Sequence, residues 1–168
     1  EAGATATSYI PTTSASVTRA ADSAVMTGAN FSSWFDAAQG TFVFENKPPS
    51  FASSPVDFCV NSGTHGLGSS SGGITSEWNG TANLDTANSA TAGAARKAAV
   101  SYGASTRSVC LNAGAVATSG TVAFGATPAQ LVIGSNFAGS SQFQNAPVAR
   151  LRYYNTALIN AQLQALTA

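Results

Sequence analysis

Charge is what this sequence has least of. Only 8% of its 168 residues are Asp, Glu, Lys or Arg, roughly a third of the usual share of about 25%. Seven basic and seven acidic residues cancel to zero, and the basic ones are not clustered. Nucleic acid and anionic lipid surfaces both require clustered Lys and Arg, so neither is expected as a partner. No stretch approaches the roughly 18 consecutive apolar residues of a membrane-spanning helix. The first twenty residues lack the charged start and apolar run of a signal peptide. The chain opens on Glu1 rather than Met, and is expected to be a fragment or processed module of something longer. There is one histidine, His65, and there are two cysteines, Cys59 and Cys110. Their spacing is not that of a zinc site. The two cysteines leave two readings open, one disulfide or two unlinked thiols.

What is present is apolar residue in quantity, 44% of the chain, enough to offset chain entropy with a packed core and to argue against disorder. With so few charges, Ser, Thr, Asn, Gln, Gly and Ala must cover the outside. An uncharged surface of hydroxyls and amides is typical of extracellular or virion-surface material. The length suits one domain.

Alternation of period two predicts strands at "GTFVFEN" (40–46), "PVDFCVN" (55–61), "ARKAAVSYG" (95–103), "RSVCLNAG" (107–114), "QLVIGSN" (130–136) and "PVARLRYY" (147–154), with a weaker one at "GITSEW" (73–78). In the second, Val56, Phe58 and Val60 share one face, and Asp57, Cys59 and Asn61 the other. The four-residue link "ASTR" suits a hairpin. "NSGTHGLGSSSGG" (61–73) and "NGTANLDTANSATAG" (79–93) are expected to be long polar loops, where binding usually sits. After Tyr154 the rhythm changes to Ile159, Leu163 and Leu166, a helical spacing, with Asn160 as N-cap and Leu158 as the staple residue before it. Short half-apolar strands at fairly regular intervals predict an all-β, antiparallel sandwich or barrel.

Several of these stretches together resemble the concanavalin A-like (laminin-G-like) jelly-roll superfamily. "KAAVSYGASTRSVCLNAGAVAT" is similar to its hairpin, although "LNAGA" carries one extra residue at the turn. "LVIGSN" followed by "APVARLRYYNTALINAQLQAL" is similar to its last strands and closing helix. "EAGATATSYIPTTSASVTRAAD" resembles the segment preceding such domains in bacteriophage and prophage tail or fibre proteins. The resemblance implies a linker over 1–22, a jelly-roll β-sandwich with a short C-terminal helix over 23–168, and a place on a virion surface. This fold hosts lectins, glycanases and adhesive modules alike, so it does not settle function.

The chemistry the residues permit narrows the choice. A sandwich glycosidase needs two carboxylates facing one cleft, yet no two acids here lie within four residues of one another. Two carboxylates from different strands could still converge, and Glu77 and Asp85 meeting in one groove beside Trp78 would favour hydrolysis. A serine triad would need His65 and a G-x-S-x-G elbow, and that elbow is lacking. His65 reads as an exposed loop histidine or, alternatively, as a donor in a ligand site. Trp78 reads as a core ring or as a sugar-stacking ring beside Asn79. Arg150, Arg152 and Tyr154 share a face that reads as solvated, as an intersubunit contact, or as part of a sugar-binding surface. Phe31, Trp34 and Phe35 read as a buried corner. Laminin-G-like relatives often hold calcium, and Asp85 with Asn83 are the loop candidates. The function expected is non-enzymatic: a virion or tail-fibre-type surface module that binds host-surface carbohydrate or a receptor. It would pair with other virion proteins, as a homo-oligomer and with a trimer suiting a fibre. The rival reading is a structural or decoration module that binds no glycan.

Overall fold

The structure is a computed structural model and describes residues 24–60, 65–80, 82–120 and 127–168. The proposed linker over 1–22 lies outside the described residues. The elements in chain order are β1 (Ala24–Thr27), α1 (Ala29–Ser32), β2 (Gly40–Asn46), β3 (Val56–Val60), β4 (His65–Ser69), β5 (Ile74–Trp78), β6 (Asn83–Ser89), β7 (Arg96–Tyr102), β8 (Arg107–Leu111), β9 (Ala117–Ser119), β10 (Gln130–Ile133), β11 (Val148–Tyr154) and α2 (Asn160–Leu166). They build two sheets, one ordered β1-β10-β3-β4-β5-β6 and the other β11-β2-β7-β8-β9. Every pairing is antiparallel.

Between the sheets lies an aromatic core that includes Phe31, Phe42, Phe44, Phe58, Val100 and Leu111, with Leu151 and Tyr153 packed against it. The alternation of β2, β7 and β11 is as the sequence implies, because each has one face on this core. Phe35 bridges the aromatic corner to Phe42 and Tyr102. The hydroxyls of Tyr102 and Tyr153 both donate to the Asp36 carbonyl, at 2.6 and 3.3 Å.

On the outside of the five-stranded sheet a second cluster joins Val43, Ala99 and Cys110 to Leu163, Leu158 and Leu166. The terminal helix is therefore a cover for this one face. It begins one residue earlier than the sequence implies: Ile159 is the N-cap, and its N–H donates to Gln162 Oε1 at 3.1 Å. Gln162 thus supplies the return bond of a capping box to the N-cap N–H, and the bond expected of Asn160, from its side chain to an N–H further along, is not the one that caps the helix.

Four expectations are corrected. The stretch expected to be a loop at 61–73 contains β4, and that at 79–93 contains β6. β4 lacks the strand signature because Gly occupies its outward positions, and β6 because it is a polar edge strand. His65 is buried on β4 rather than exposed. Val56 does not join the central core but packs outward with Cys59 and Val132. A register shift between Val56 and Phe58 turns Asp57 inward and Val56 out, as one extra residue in a strand must. The remaining choice on the cysteines is settled as well. Both are free and buried, and they face outward from opposite sheets.

Candidate functional site

The inner space of the sandwich and its two outer faces have different chemistry. Inside, Asp57 on β3 and Arg96 on β7 form an ion pair at 2.7 Å with both side chains wholly buried. Arg96 also donates to Thr75 Oγ1 at 3.3 and 3.1 Å and to Asn46 Oδ1 at 3.4 Å. Gln144 donates to the Asp57 carboxylate. Burial raises the Asp57 carboxyl above its ordinary value, opposed by the adjacent guanidinium. A second pair joins Glu77 on β5 to Arg107 on β8, and Arg107 also donates to the Ala82 carbonyl at 3.1 Å. Burial pushes the Glu77 carboxyl up to about 7, again opposed by its arginine. These pairs tie one sheet to the other. They are structural, since each charge is spent on its partner within the protein.

Outside the six-stranded sheet there is a groove of about 430 Å³. Its construction follows from pairing. Gly66 lies opposite Trp78 and Gly68 opposite Ser76, while Trp78 and Ser76 lie opposite Asn83 and Asp85. Paired residues point to the same side of a sheet, so these side chains share one surface. The six-membered ring of Trp78 lies across β4 above its two glycines. A Cβ on Gly66 would come 2.8 Å from Trp78 Cη2, and one on Gly68 would come 3.3 Å from Cζ3. Glycine at these two positions is therefore what admits the ring. Trp78 also packs against the cluster of Val56, Cys59 and Val132, as does Phe137.

Phe137 enters the groove from the loop after β10. That loop is folded by Asn136, whose Oδ1 accepts from the N–H of Ser140 at 2.9 Å and whose Nδ2 donates to Ser141 Oγ at 2.8 Å. It is anchored to β3 by Gly134 N–H to the Asp57 carbonyl at 2.8 Å and by Val56 N–H to the Gln142 carbonyl at 3.0 Å. The groove thus has two aromatic rings on fixed supports, with Ser76 and Asn83 beside them. Cys59 closes part of its floor. Burial pushes its thiol up to about 12, which leaves it protonated and inert as a nucleophile near neutral pH.

The sequence-derived candidates fall into separate places. Trp78 and Asn83 line the groove, and Asp85 shares their face. Asn79 follows Trp78 directly, and its Oδ1 accepts from the Ala82 N–H at 3.0 Å, which shapes the turn into β6. His65 is buried between the sheets beside Phe42, Val60 and Glu77. Arg150, Arg152 and Tyr154 are on the outer face of the other sheet, where Arg150 meets Glu45 at 3.4 Å and Tyr154 packs towards the terminal helix. The full thickness of the sandwich separates them from Trp78.

Glu77 and Asp85 point to opposite sides of their sheet, one into the core and one outward. They do not converge as paired acid and nucleophile would. Asn83 and Asp85 offer one amide and one carboxylate, whereas calcium takes six to eight oxygens; alone they do not make such a shell. Among the described residues no three His, Cys, Asp or Glu come together, and no helix is long and apolar enough to cross a membrane.

Sequence reasoning missed Gly66, Gly68, Ser76 and Phe137. The signal for the glycines is present, since in "HGLGS" they alternate with His65 and Leu67, but a loop of small residues gives the same letters.

No family model and no curated protein matches the sequence. Solved structures do. The CBM40 domain of the Ruminococcus gnavus IT-sialidase, bound to α2,3-sialyllactose, superposes with a TM-score of 0.66 at 19% identity, over 78% of this chain and 83% of that one. A native heptameric SAP-like pentraxin from Limulus polyphemus gives 0.57 at 16% identity, over 77% and 70%. Trypanosoma rangeli sialidase in complex with sialic acid gives 0.61 at 19% identity, over 77% of this chain but only 23% of that one. At these identities the likeness is one of fold. The fold is thereby set: an antiparallel jelly-roll β-sandwich closed by a short C-terminal helix.

Proposed function

We propose that this domain is a non-catalytic glycan-binding module and that the groove under Trp78 and Phe137 is its binding site. The carrying observation is the Trp78 ring laid across Gly66 and Gly68 at the edge of a groove that also holds Phe137, Ser76 and Asn83. Sugars present C–H patches that pack on aromatic rings and hydroxyls that pair with amides and hydroxyls. Such a site, already shaped by its own hydrogen bonds, loses little freedom when it binds. The structural likeness to a CBM40 domain solved with a bound sugar supports this reading. The opposed directions of Glu77 and Asp85 support binding without turnover.

The setting we propose is the surface of a virion, at a tail or fibre. There a host-cell polysaccharide or receptor is the partner and a homo-oligomer such as a trimer multiplies weak contacts. The likeness of "EAGATATSYIPTTSASVTRAAD" to segments of phage tail proteins supports this setting, as does a surface poor in charge.

A glycan array followed by calorimetric titration tests the reading. Trp78→Ala is expected to weaken the best ligand more than tenfold, about 1.4 kcal/mol, with the fold intact by circular dichroism. Flat responses across cell-wall and capsular polysaccharides would return the chain to the rival role of a spacer or decoration module.

A further inference from the structure

Charge is unevenly placed around the groove. Lys47, Arg96, Lys97, Arg107, Arg150 and Arg152 are the cations among the described residues, and none lines the groove. Arg96 and Arg107 are buried between the sheets in their ion pairs. Lys97, Arg150 and Arg152 belong to the outer face of the five-stranded sheet: Lys97 lies opposite Glu45 and bonds the Ala168 carbonyl, and Arg150 and Arg152 lie opposite Glu45 and Val43. Lys47 directly follows β2 of that sheet. Arg19 lies outside the described residues. Among the described residues, the charged side chain that does share the groove's face is a carboxylate, Asp85, exposed and opposite Ser76 across the strands.

We infer that the groove selects uncharged glycans and discriminates against sialylated, uronic-acid-bearing or sulfated ones. The inference rests on the glycan-binding reading and sharpens it. An acidic sugar seated against Trp78 would surrender hydration of its anionic group without a guanidinium or ammonium to replace it. It would also meet the field of Asp85 on the same face. A neutral sugar meets neither cost, because Ser76 and Asn83 pair with hydroxyls. The fold is therefore shared with a domain solved with sialyllactose, while the chemistry of this groove suits a different ligand class.

The test is a titration of matched pairs by calorimetry. Lactose is set against α2,3-sialyllactose, and acidic capsular polysaccharides against the same material with its carboxylates reduced to alcohols. The neutral member is expected to bind at least tenfold more tightly, with less than twofold change between 50 mM and 500 mM NaCl because no charge pair is formed. Asp85→Asn is expected to narrow the neutral-to-acidic ratio at least threefold at low salt, as loss of a repulsive charge should. Acidic members bound as tightly as their neutral partners, with that binding lost in Trp78→Ala, would overturn the selectivity and leave glycan binding standing. Failure of every neutral and acidic glycan would overturn both.

Discussion

Trp78 owes its position to two residues that have no side chains. A Cβ at Gly66 would fall inside the contact distance of both the indole and the Phe58 carbonyl, so Gly66→Ala must displace one of them. The expected result is a loss of about 1–3 kcal/mol of stability and a weakening of the proposed glycan binding comparable to that of Trp78→Ala, read by thermal melting and titration. A different strain sits at the β8–β9 turn. Asn112 and Ala113 have φ of 48° and 55°, the two left-handed positions of a tight hairpin turn. Asn tolerates that region and Ala does not. Ala113→Gly is expected to stabilise the protein by about 0.5–1 kcal/mol, seen as a raised denaturant midpoint. The turn at "LNAGA" is thus a closed one, held by the Gly114 N–H to the Leu111 carbonyl at 2.9 Å.

Among the elements, the terminal helix has the plainest task. Leu163 is fully buried against Val43, Ala99 and Cys110, on the face opposite the groove. Leu163→Ala is expected to cost about 2–5 kcal/mol while affinity for the proposed glycan at low temperature stays within twofold, because the groove belongs to the other sheet. A matching loss of affinity would show that the two faces are coupled. The strands β2, β7 and β11 were legible because each alternates between core and outside. The strands β4 and β6 were not. Their outward residues are Gly66 and Gly68 in one and Asn83 and Asp85 in the other, and nothing in such letters separates a strand from a loop. The groove thus joins two strands legible in sequence, β3 and β5, which carry Val56, Cys59, Ser76 and Trp78, to two that were hidden, β4 and β6, which carry Gly68 and Asn83.

At the scale of the whole molecule the two buried ion pairs join the sheets and make stability depend on pH. Glu77 has its carboxyl raised from 4.5 to about 7 by burial, so the folded state holds this proton more tightly than the unfolded chain does. Stability from this group is full below pH 4.5 and falls as pH rises to about 7. The expected loss across that window is roughly 3 kcal/mol, with Asp57 acting in the same direction. Chemical denaturation at pH 4.5, 6 and 8 checks this, and Glu77→Gln should flatten the slope. A stability that instead rises through this window would mean that the arginines dominate burial.

Period-two alternation and the closing "ALINAQLQAL" determined an antiparallel sandwich or barrel ending in a short helix, because burial of one face per strand is written directly into residue order, while the two-layer jelly roll was implied by resemblance. Trp78 and Asn83 could be named from the sequence as candidates, but not joined into one surface. Only the tertiary structure decided that Trp78 faces outward over glycines, that Glu77 turns inward and Asp85 away from it, and that Arg150 and Arg152 lie across the sandwich. The physical reason is that register between strands distant in sequence, and a single extra residue at Asp57, choose the face on which each side chain lands, and neither leaves a local mark.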